Sequence, residues 1–408
     1  MPVLDLEITR LKVEIEAARA ESDRLFSILK PEALLERPID ERHRVLFYVG
    51  HLDGFDSIQI CREALRIPSP DPELDRLFQA GIDPEPGKLP SDVPADWPTL
   101  TQIQQYVTRA RNHVDTHIEQ ASEDVVSMVL EHRLMHLETL AYMFHNFDYA
   151  RKRRLADAQP ELLSSPAPDE WCEIPEGEAV LGRSRNEAFG WDNEYNKTRI
   201  KVPPFRIQRF NVSNGDYLQF VAEGGELPHF WRRAEQGIVY RGMFAEVQLP
   251  LDWPVYVTER EAAAYADWVG KDLMTEAQFH RAAYGTPDGS QRDYPWGSAP
   301  PSRERGNFDF VRWEPEAVTA NAAGDSAFGV RQLVGNGWEW TRSLFRPFAG
   351  FEPRPTYPGY SANFFDDDHY VIKGGSPRTS ARLLRRSFRN WFRRDYPYVY
   401  ATFRCVEN

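Results

Sequence analysis

The chain has 408 residues, 41% of them hydrophobic and 27% charged, and 62 acidic against 49 basic side chains leave a net charge of −13. That composition excludes a disordered chain, and the acidic surplus excludes phosphate-backbone binding as the main task, so no nucleic-acid partner is expected. No run of 18 apolar residues exists, so no membrane span is expected, and three scattered cysteines (Cys61, Cys172, Cys405) behind a charged first segment with no signal-peptide core predict a cytoplasmic protein.

Residues 3–29 carry apolar side chains at helical spacing (Leu4, Ile8, Leu11, Ile15), and further helical stretches are predicted over about 41–67, 99–121 and 123–152. Between the second and third, residues 71–99 are rich in Pro and Asp and read mostly as loop. Thr99 or Thr101 is placed to cap the third helix. Four helices with one long connection predict a four-helix bundle over 1–156, with sites built from its inward side chains. Residues 157–172 (DAQPELLSSPAPDEWC) read as a linker. Over 173–408 helical periodicity mostly disappears. Short strand-like runs at 179–182, 199–207, 370–373 and 398–404, with helices at 258–269 and 275–284, predict an α+β domain rich in aromatic packing. The fold class is therefore multidomain, α followed by α+β.

The sharpest local signal lies in the fourth helix. His132 and His136 are i and i+4, so both imidazoles lie on one face and are placed to share a metal ion. Met128, Val129, Met135, Leu140 and Met143 put that helix inside the bundle, where an unpartnered polar pair is costly. The alternative is a pair of satisfied core histidines. His113 and His117 have the same spacing, but Arg109, Arg111, Asp115 and Glu119 surround them, which reads as a solvated face. A third ligand is available from His51, in an apolar stretch of the second helix, or less readily from His43. Glu138 points elsewhere on its helix and reads as a supporting residue. Three neutral imidazoles with no thiolate suit Fe(II), Zn or Cu.

In the second half, GNGWEW (335–340) reads as a tight turn into packed indoles at Trp338 and Trp340. Arg382, Arg385, Arg386, Arg389, Arg393 and Arg394 fall within thirteen residues. They serve either as ion pairs to the acidic surplus or as bidentate contacts for substrate carboxylates.

With these residues in view the chain resembles a known family. Residues 170–408 resemble the formylglycine-generating-enzyme (sulfatase-modifying-factor) fold, a C-type-lectin-like domain, through VSNGDYLQFV (212–221), PVYVT (254–258), the 275–283 helix, GNGWEWT, GGS and the closing FRCV. Residues 1–155 resemble the DinB-like four-helix bundle. The pattern HxxxHxE at His132, His136 and Glu138, with an upstream Gly50–His51, resembles the nonheme iron sulfoxide synthases of the ergothioneine and ovothiol type. The resemblance implies that His51, His132 and His136 bind Fe(II). It implies substrate contacts at Asn390 and Trp391 in the SFRNW segment; Arg386 and Arg389, from the reading of the arginine cluster as carboxylate binders, are expected beside them. It also implies a tyrosine proton donor, for which Tyr357, Tyr360 and Tyr370 are the candidates.

The implied activity joins sulfur to an imidazole ring with O2 as oxidant. Its acceptor is hercynine (trimethylhistidine), whose quaternary ammonium suits aromatic faces. Residues 80–108 contain no Arg, which makes free cysteine the expected donor rather than γ-glutamylcysteine. The alternatives are an ovothiol-type enzyme acting on histidine, a selenoneine synthase using a selenosugar, and a non-catalytic lectin-like binding module. Copper-dependent formylglycine generation needs a cysteine pair, and Cys405 stands far from Cys172 in sequence.

Overall fold

The computed structural model describes residues 3–79, 88–153, 167–235 and 237–408. The chain divides into two compact units, residues 1–157 and 158–408. The first unit is helical. Helix α1 (Val3–Ser27) buries Leu11, Ile15, Ala18 and Leu25 along one stripe and packs on α5 (Glu123–His145). Helix α2 (Val45–Ser57) is buried along almost its whole length and packs on α4 (Leu100–His117). Its backbone then widens into a π-helical stretch, Ile58–Ala64. Thr99 caps α4 through a reciprocal pair with Gln102.

The segment 71–99, expected to be mostly loop, contains a helix, α3 (Pro72–Phe78). The reason is local: Asp71 accepts a hydrogen bond from the Leu74 amide, and Pro72 sits at the first helical position, where its missing N–H costs nothing. Residues 80–87 of that segment, 154–156 at the end of the expected bundle and 157–166 of the expected linker lie outside the described residues.

Two glycines let neighbours close on α2. A Cβ at Gly50 would lie 2.4 Å from the Phe78 ring, and one at Gly54 would lie 2.5 Å from Tyr106 Oη. The Gly50–His51 pair is thus a packing device as well as a motif. Gly50→Ala is expected to destabilise the protein by about 1–3 kcal/mol through overpacking, read as a lowered midpoint in thermal unfolding; an unchanged midpoint would show that Phe78 yields freely.

The second unit is α+β. Its strands are β1 (Trp171–Ile174), β2 (Gly177–Leu181), β3 (Thr198–Val202), β4 (Phe205–Gln208), β5 (Trp231–Ala234), β6 (Gly237–Arg241), β7 (Glu246–Gln248), β8 (Asp272–Leu273), β9 (Gly337–Leu344), β10 (His369–Gly375), β11 (Asn390–Arg393), β12 (Ala401–Thr402) and β13 (Cys405–Glu407). They form sheets in the orders β1-β4-β13-β8, β11-β10-β9-β12, β2-β3 and β5-β6-β7. The run 199–207, read as one strand, is two. Pro203 and Pro204 have no amide hydrogen to donate to a ladder, so β3 pairs with β2 while β4 joins β1 and β13.

Three helices start from reciprocal side-chain caps: α6 (Asn214–Ala222) at Ser213 and Asp216, α7 (Glu259–Trp268) at Thr258 and Glu261, and α8 (Glu276–Tyr284) at Thr275 and Gln278. Helix α8 lies against β2, β3, β9 and β10. The GNGWEW turn puts Gly335 and Asn336 at positive φ, and Trp338 and Trp340 are buried, with Trp340 Nε1 donating to the Val257 carbonyl at 2.8 Å. Among the described residues no helix is long and apolar enough to cross a membrane.

Candidate functional site

In the helical unit, α2 delivers His51 and α5 delivers His132 and His136. All three are buried, and one nitrogen of each lies within 4.8 Å of the other two. His132 Nε2 and His136 Nε2 are 3.2 Å apart, as the i,i+4 spacing on one helix face requires. His51 turns its other nitrogen away: Nδ1 is 2.7 Å from the Phe78 carbonyl, which fixes Nδ1 as the donor and leaves Nε2 as a lone-pair atom. That Nε2 is buried and has no hydrogen-bond partner. A buried, unpartnered lone pair beside two further imidazole nitrogens is unfavourable, and a cation among them would satisfy it.

Burial pushes the His51 pKa down to about 4, against a smaller upward pull from the Phe78 carbonyl. Burial likewise lowers His132 and His136 well below the ordinary value, helped by their neighbours' charge. Neutral imidazole is the form that ligates metals. Three neutral nitrogen donors with no thiolate among them fit a first-row divalent ion. Phe55 stacks on His132 at 3.6 Å and Phe47 on His51 at 4.8 Å, so aromatic rings wall the cluster.

This is the one cluster of three or more metal-ligating side chains among the described residues. Glu138 is buried but stands outside it, and so does His43, whose ring lies 4.3 Å from Phe47. His113 shares a hydrogen bond with Ser57 Oγ at 3.1 Å, and its helix face carries ion pairs from Arg109 to Asp71 and from Arg111 to Asp23. The Phe78 carbonyl escapes a reading of side-chain motifs; the Asp71–Pro72 start signal of α3 is the clue that would have placed it.

The second unit holds an aromatic cluster. Tyr360 stacks on the fully buried Trp191 at 3.9 Å and meets the edge of Trp391 at 5.4 Å, with Tyr357 5.8 Å from Tyr360. Trp391 is itself stacked on Phe345 at 4.2 Å. The β10–β11 ladder sets Trp391 opposite Val371 and Asn390 opposite Ile372. Asn390 Oδ1 accepts the Trp391 amide at 2.9 Å. Tyr370 stands on β10 opposite Phe392, with the Arg394 guanidinium 6.0 Å over its ring.

Two acids follow Trp191. Burial raises the Asp192 carboxyl above the usual range, although Ser361 Oγ donates to it. Glu194 is fully buried, yet Arg385 and Ser387 Oγ (2.6 Å) hold its carboxyl below that range against the burial penalty. Trp191, Asp192 and Glu194 were not singled out from the sequence; acids between aromatics in FGWDNEY are the trace they leave.

The arginine cluster resolves largely into ion pairs: Arg385 with Glu194, Arg394 with Glu259, and Arg389 with Glu276. Arg389, expected as a substrate contact, grips Glu276 at 2.9 and 3.1 Å and also donates to the Asn193 and Arg346 carbonyls. Its guanidinium is a strut between α8 and two loops. Arg386 is half-buried, and its carbonyl accepts Lys373 Nζ at 2.9 Å.

Residues 158–408 match the sulfatase-modifying factor enzyme 1-like domain. The chain is 28% identical to ergothioneine biosynthesis protein 1 of Neurospora crassa, over 93% of this chain and 56% of that one. It is 33% identical to hercynine oxygenase of Mycolicibacterium smegmatis, over 80% of this chain and 81% of the relative. The chain thus spans little more than half the length of the fungal relative and about four-fifths of the bacterial one. The solved structure of PvdO from Pseudomonas aeruginosa aligns with 59% of this chain and 94% of its own, at a TM-score of 0.44 and 19% identity. A matched domain covering more than half the chain, together with the hercynine oxygenase match, establishes the assignment: the chain belongs to the sulfatase-modifying-factor-like family, in the group that contains the hercynine oxygenases and ergothioneine biosynthesis proteins.

Proposed function

We propose that the chain is an O2-dependent nonheme iron(II) sulfoxide synthase that joins the sulfur of cysteine to the imidazole ring of hercynine, with the metal ligands carried by a DinB-like helical bundle and the second unit a C-type-lectin-like domain. The observation that carries this reading is the buried cluster of His51, His132 and His136 with an unpartnered His51 Nε2. The names of the relatives favour hercynine over histidine as acceptor. Three unpaired cysteines agree with a reducing, cytoplasmic setting.

The overall step balances as thiol plus ring C–H plus O2 giving sulfoxide plus water. The S–H and C–H hydrogens leave in the water, one oxygen atom stays on sulfur, and O2 takes up four electrons. Bound ferrous iron would supply the electron route from thiol and ring to O2. The chain's own groups do the rest. His51 is held in one tautomer by the Phe78 carbonyl, so its Nε2 lone pair is preset. Phe47 and Phe55 keep water from the cluster. Tyr360 and Trp391, both half-buried, offer ring faces to a quaternary ammonium, with Trp191 backing Tyr360 from the core and Asp192 adding negative potential beside it. Asn390 is assigned to the substrate carboxylate, because the guanidinium of Arg389 is committed to Glu276. Tyr357 and Tyr360 border the same aromatic cluster and are favoured over Tyr370 as proton donor.

The test is direct. The Fe(II)-loaded protein is incubated under O2 with hercynine or histidine, each against cysteine, γ-glutamylcysteine and a selenosugar. The expected product, from hercynine and cysteine, has the summed mass of both substrates less two hydrogens plus one oxygen. Turnover with histidine alone would identify an ovothiol-type enzyme, and selenium transfer a selenoneine synthase. Absence of any product from iron-replete protein would sink the proposal.

A further inference from the structure

Beside the histidine cluster lies a second buried group of side chains, all charged or hydroxylic. Arg133 follows His132 directly on α5 and is 1% exposed. Its Nη2 is 2.6 Å from Asp53 Oδ1 and 2.6 Å from Asp56 Oδ2, both on α2, and its Nη1 donates to Ser22 Oγ of α1 at 3.1 Å. Asp53 also accepts Nε and Nη2 of Arg111 from α4, each at 3.1 Å. Arg111 continues to Asp23 of α1 at 2.7 and 2.8 Å. Arg19 of α1 approaches Asp53 at 3.8 Å and pairs with Asp115 of α4 at 2.6 Å. All four long helices therefore meet in one ionic knot.

Such a knot is a poor way to gain stability. Taking ions out of water costs several kcal/mol each, and well-packed apolar residues often do as well or better. What ionic partners add is register: Arg133 reaches Asp53 and Asp56 together at only one axial offset between α2 and α5. These are the two helices that carry the ligand nitrogens. Asp53 and Asp56 stand two and five residues beyond His51, roughly 3 and 7.5 Å along the helix at 1.5 Å per residue. A site held by rigid elements needs its members within about 0.5 Å of their working positions.

We propose that Arg133, through Asp53 and Asp56, is a positioning residue that fixes the offset of His51 against His132 and His136, and so sets the affinity and coordination geometry of the metal. The inference rests on the metal reading above and goes beyond it, since none of these residues is a ligand.

The test uses the full chain with Co(II) as a visible-absorbing probe, titrated against a competing chelator. Arg133→Lys keeps the charge but loses the fork, and Asp56→Asn keeps the shape but loses the charge. Both variants are expected to keep the helical circular dichroism and a cooperative melt, with Co(II) bound roughly 10–100-fold more weakly and an altered visible spectrum. His132→Ala serves as the control that binds no Co(II). Wild-type affinity and spectrum in folded Arg133→Lys and Asp56→Asn, with binding lost in the control, overturn the positioning role alone. Binding retained in His132→Ala overturns the metal reading and the positioning role with it. If neither single variant folds, the apolar replacement Arg133→Met, Asp53→Leu, Asp56→Leu decides the matter: weakened Co(II) binding supports the role and unchanged binding overturns it.

Discussion

His132→Ala and His136→Ala are each expected to remove turnover and metal uptake together while the chain stays folded. Altering a group that merely supports a ligand typically costs 10–100-fold in affinity or activity, so deleting one of three ligands is expected to cost more than about 100-fold. The fold persists because α5 is buried by Val126, Val129, Leu130, Leu137 and Leu140, not by the histidines alone. His132 also leaves behind a cavity against Phe55, so a loss of roughly 2 kcal/mol or more of stability accompanies the change, the size seen for large-to-small core substitutions. Metal analysis, product mass and thermal unfolding on the same preparations check all three statements. Full activity in both variants would show that the cluster is structural and that the chemistry lies elsewhere.

The second large effect is on stability and belongs to the other unit. Arg404 and Glu339 are both fully buried, with Nη2 2.6 Å and Nε 3.0 Å from Glu339 Oε1. The same carboxylate oxygen accepts Asn211 Nδ2 at 2.7 Å, and Arg404 also donates to the Gln208, Arg209 and Arg331 carbonyls. Arg404→Met removes the only guanidinium the structure gives Glu339 among the described residues and strands its charge. The expected loss is about 3–5 kcal/mol. For a unit of this size that lowers the unfolding midpoint by roughly 6–20 °C. Calorimetry reads this directly, and the double variant Arg404→Met, Glu339→Met is expected to recover part of the loss because no buried charge is then orphaned. A midpoint within about 2 °C of the parent chain for Arg404→Met would show that water reaches Glu339.

The three ligand candidates were legible in the sequence because helical spacing is a strong constraint. Once 123–152 reads as a helix, His132 and His136 must share a face. His51 was less determined, since spacing says nothing about which helix lies opposite; its apolar neighbours and the preceding glycine carried the reading. What escaped has a common cause. The Phe78 carbonyl, the Arg133 knot and the Trp191–Tyr360 stack all join residues far apart in the chain, and no local pattern records such a pairing. The arginine cluster shows the same limit from the other side: six arginines in thirteen residues are plain to see, but whether each meets a carboxylate of the protein or of a ligand depends on Glu194, Glu259 and Glu276, more than a hundred residues away. Prolines behaved locally: Pro72 started a helix and Pro203–Pro204 ended a strand, each for want of an amide hydrogen.

The position of β13 has a consequence for the order in which the second unit is assembled during synthesis. Residues 405–407 lie between β4 and β8, pairing with residues made about 200 and 130 positions earlier. Until that segment has left the ribosome, the edges of β4 and β8 that face each other have no partner strand, and the loop to be closed is long. Between the synthesis of β8 and that of β13 the nascent chain therefore carries two open edges, a state in which pairing between neighbouring copies competes with completion of the sheet.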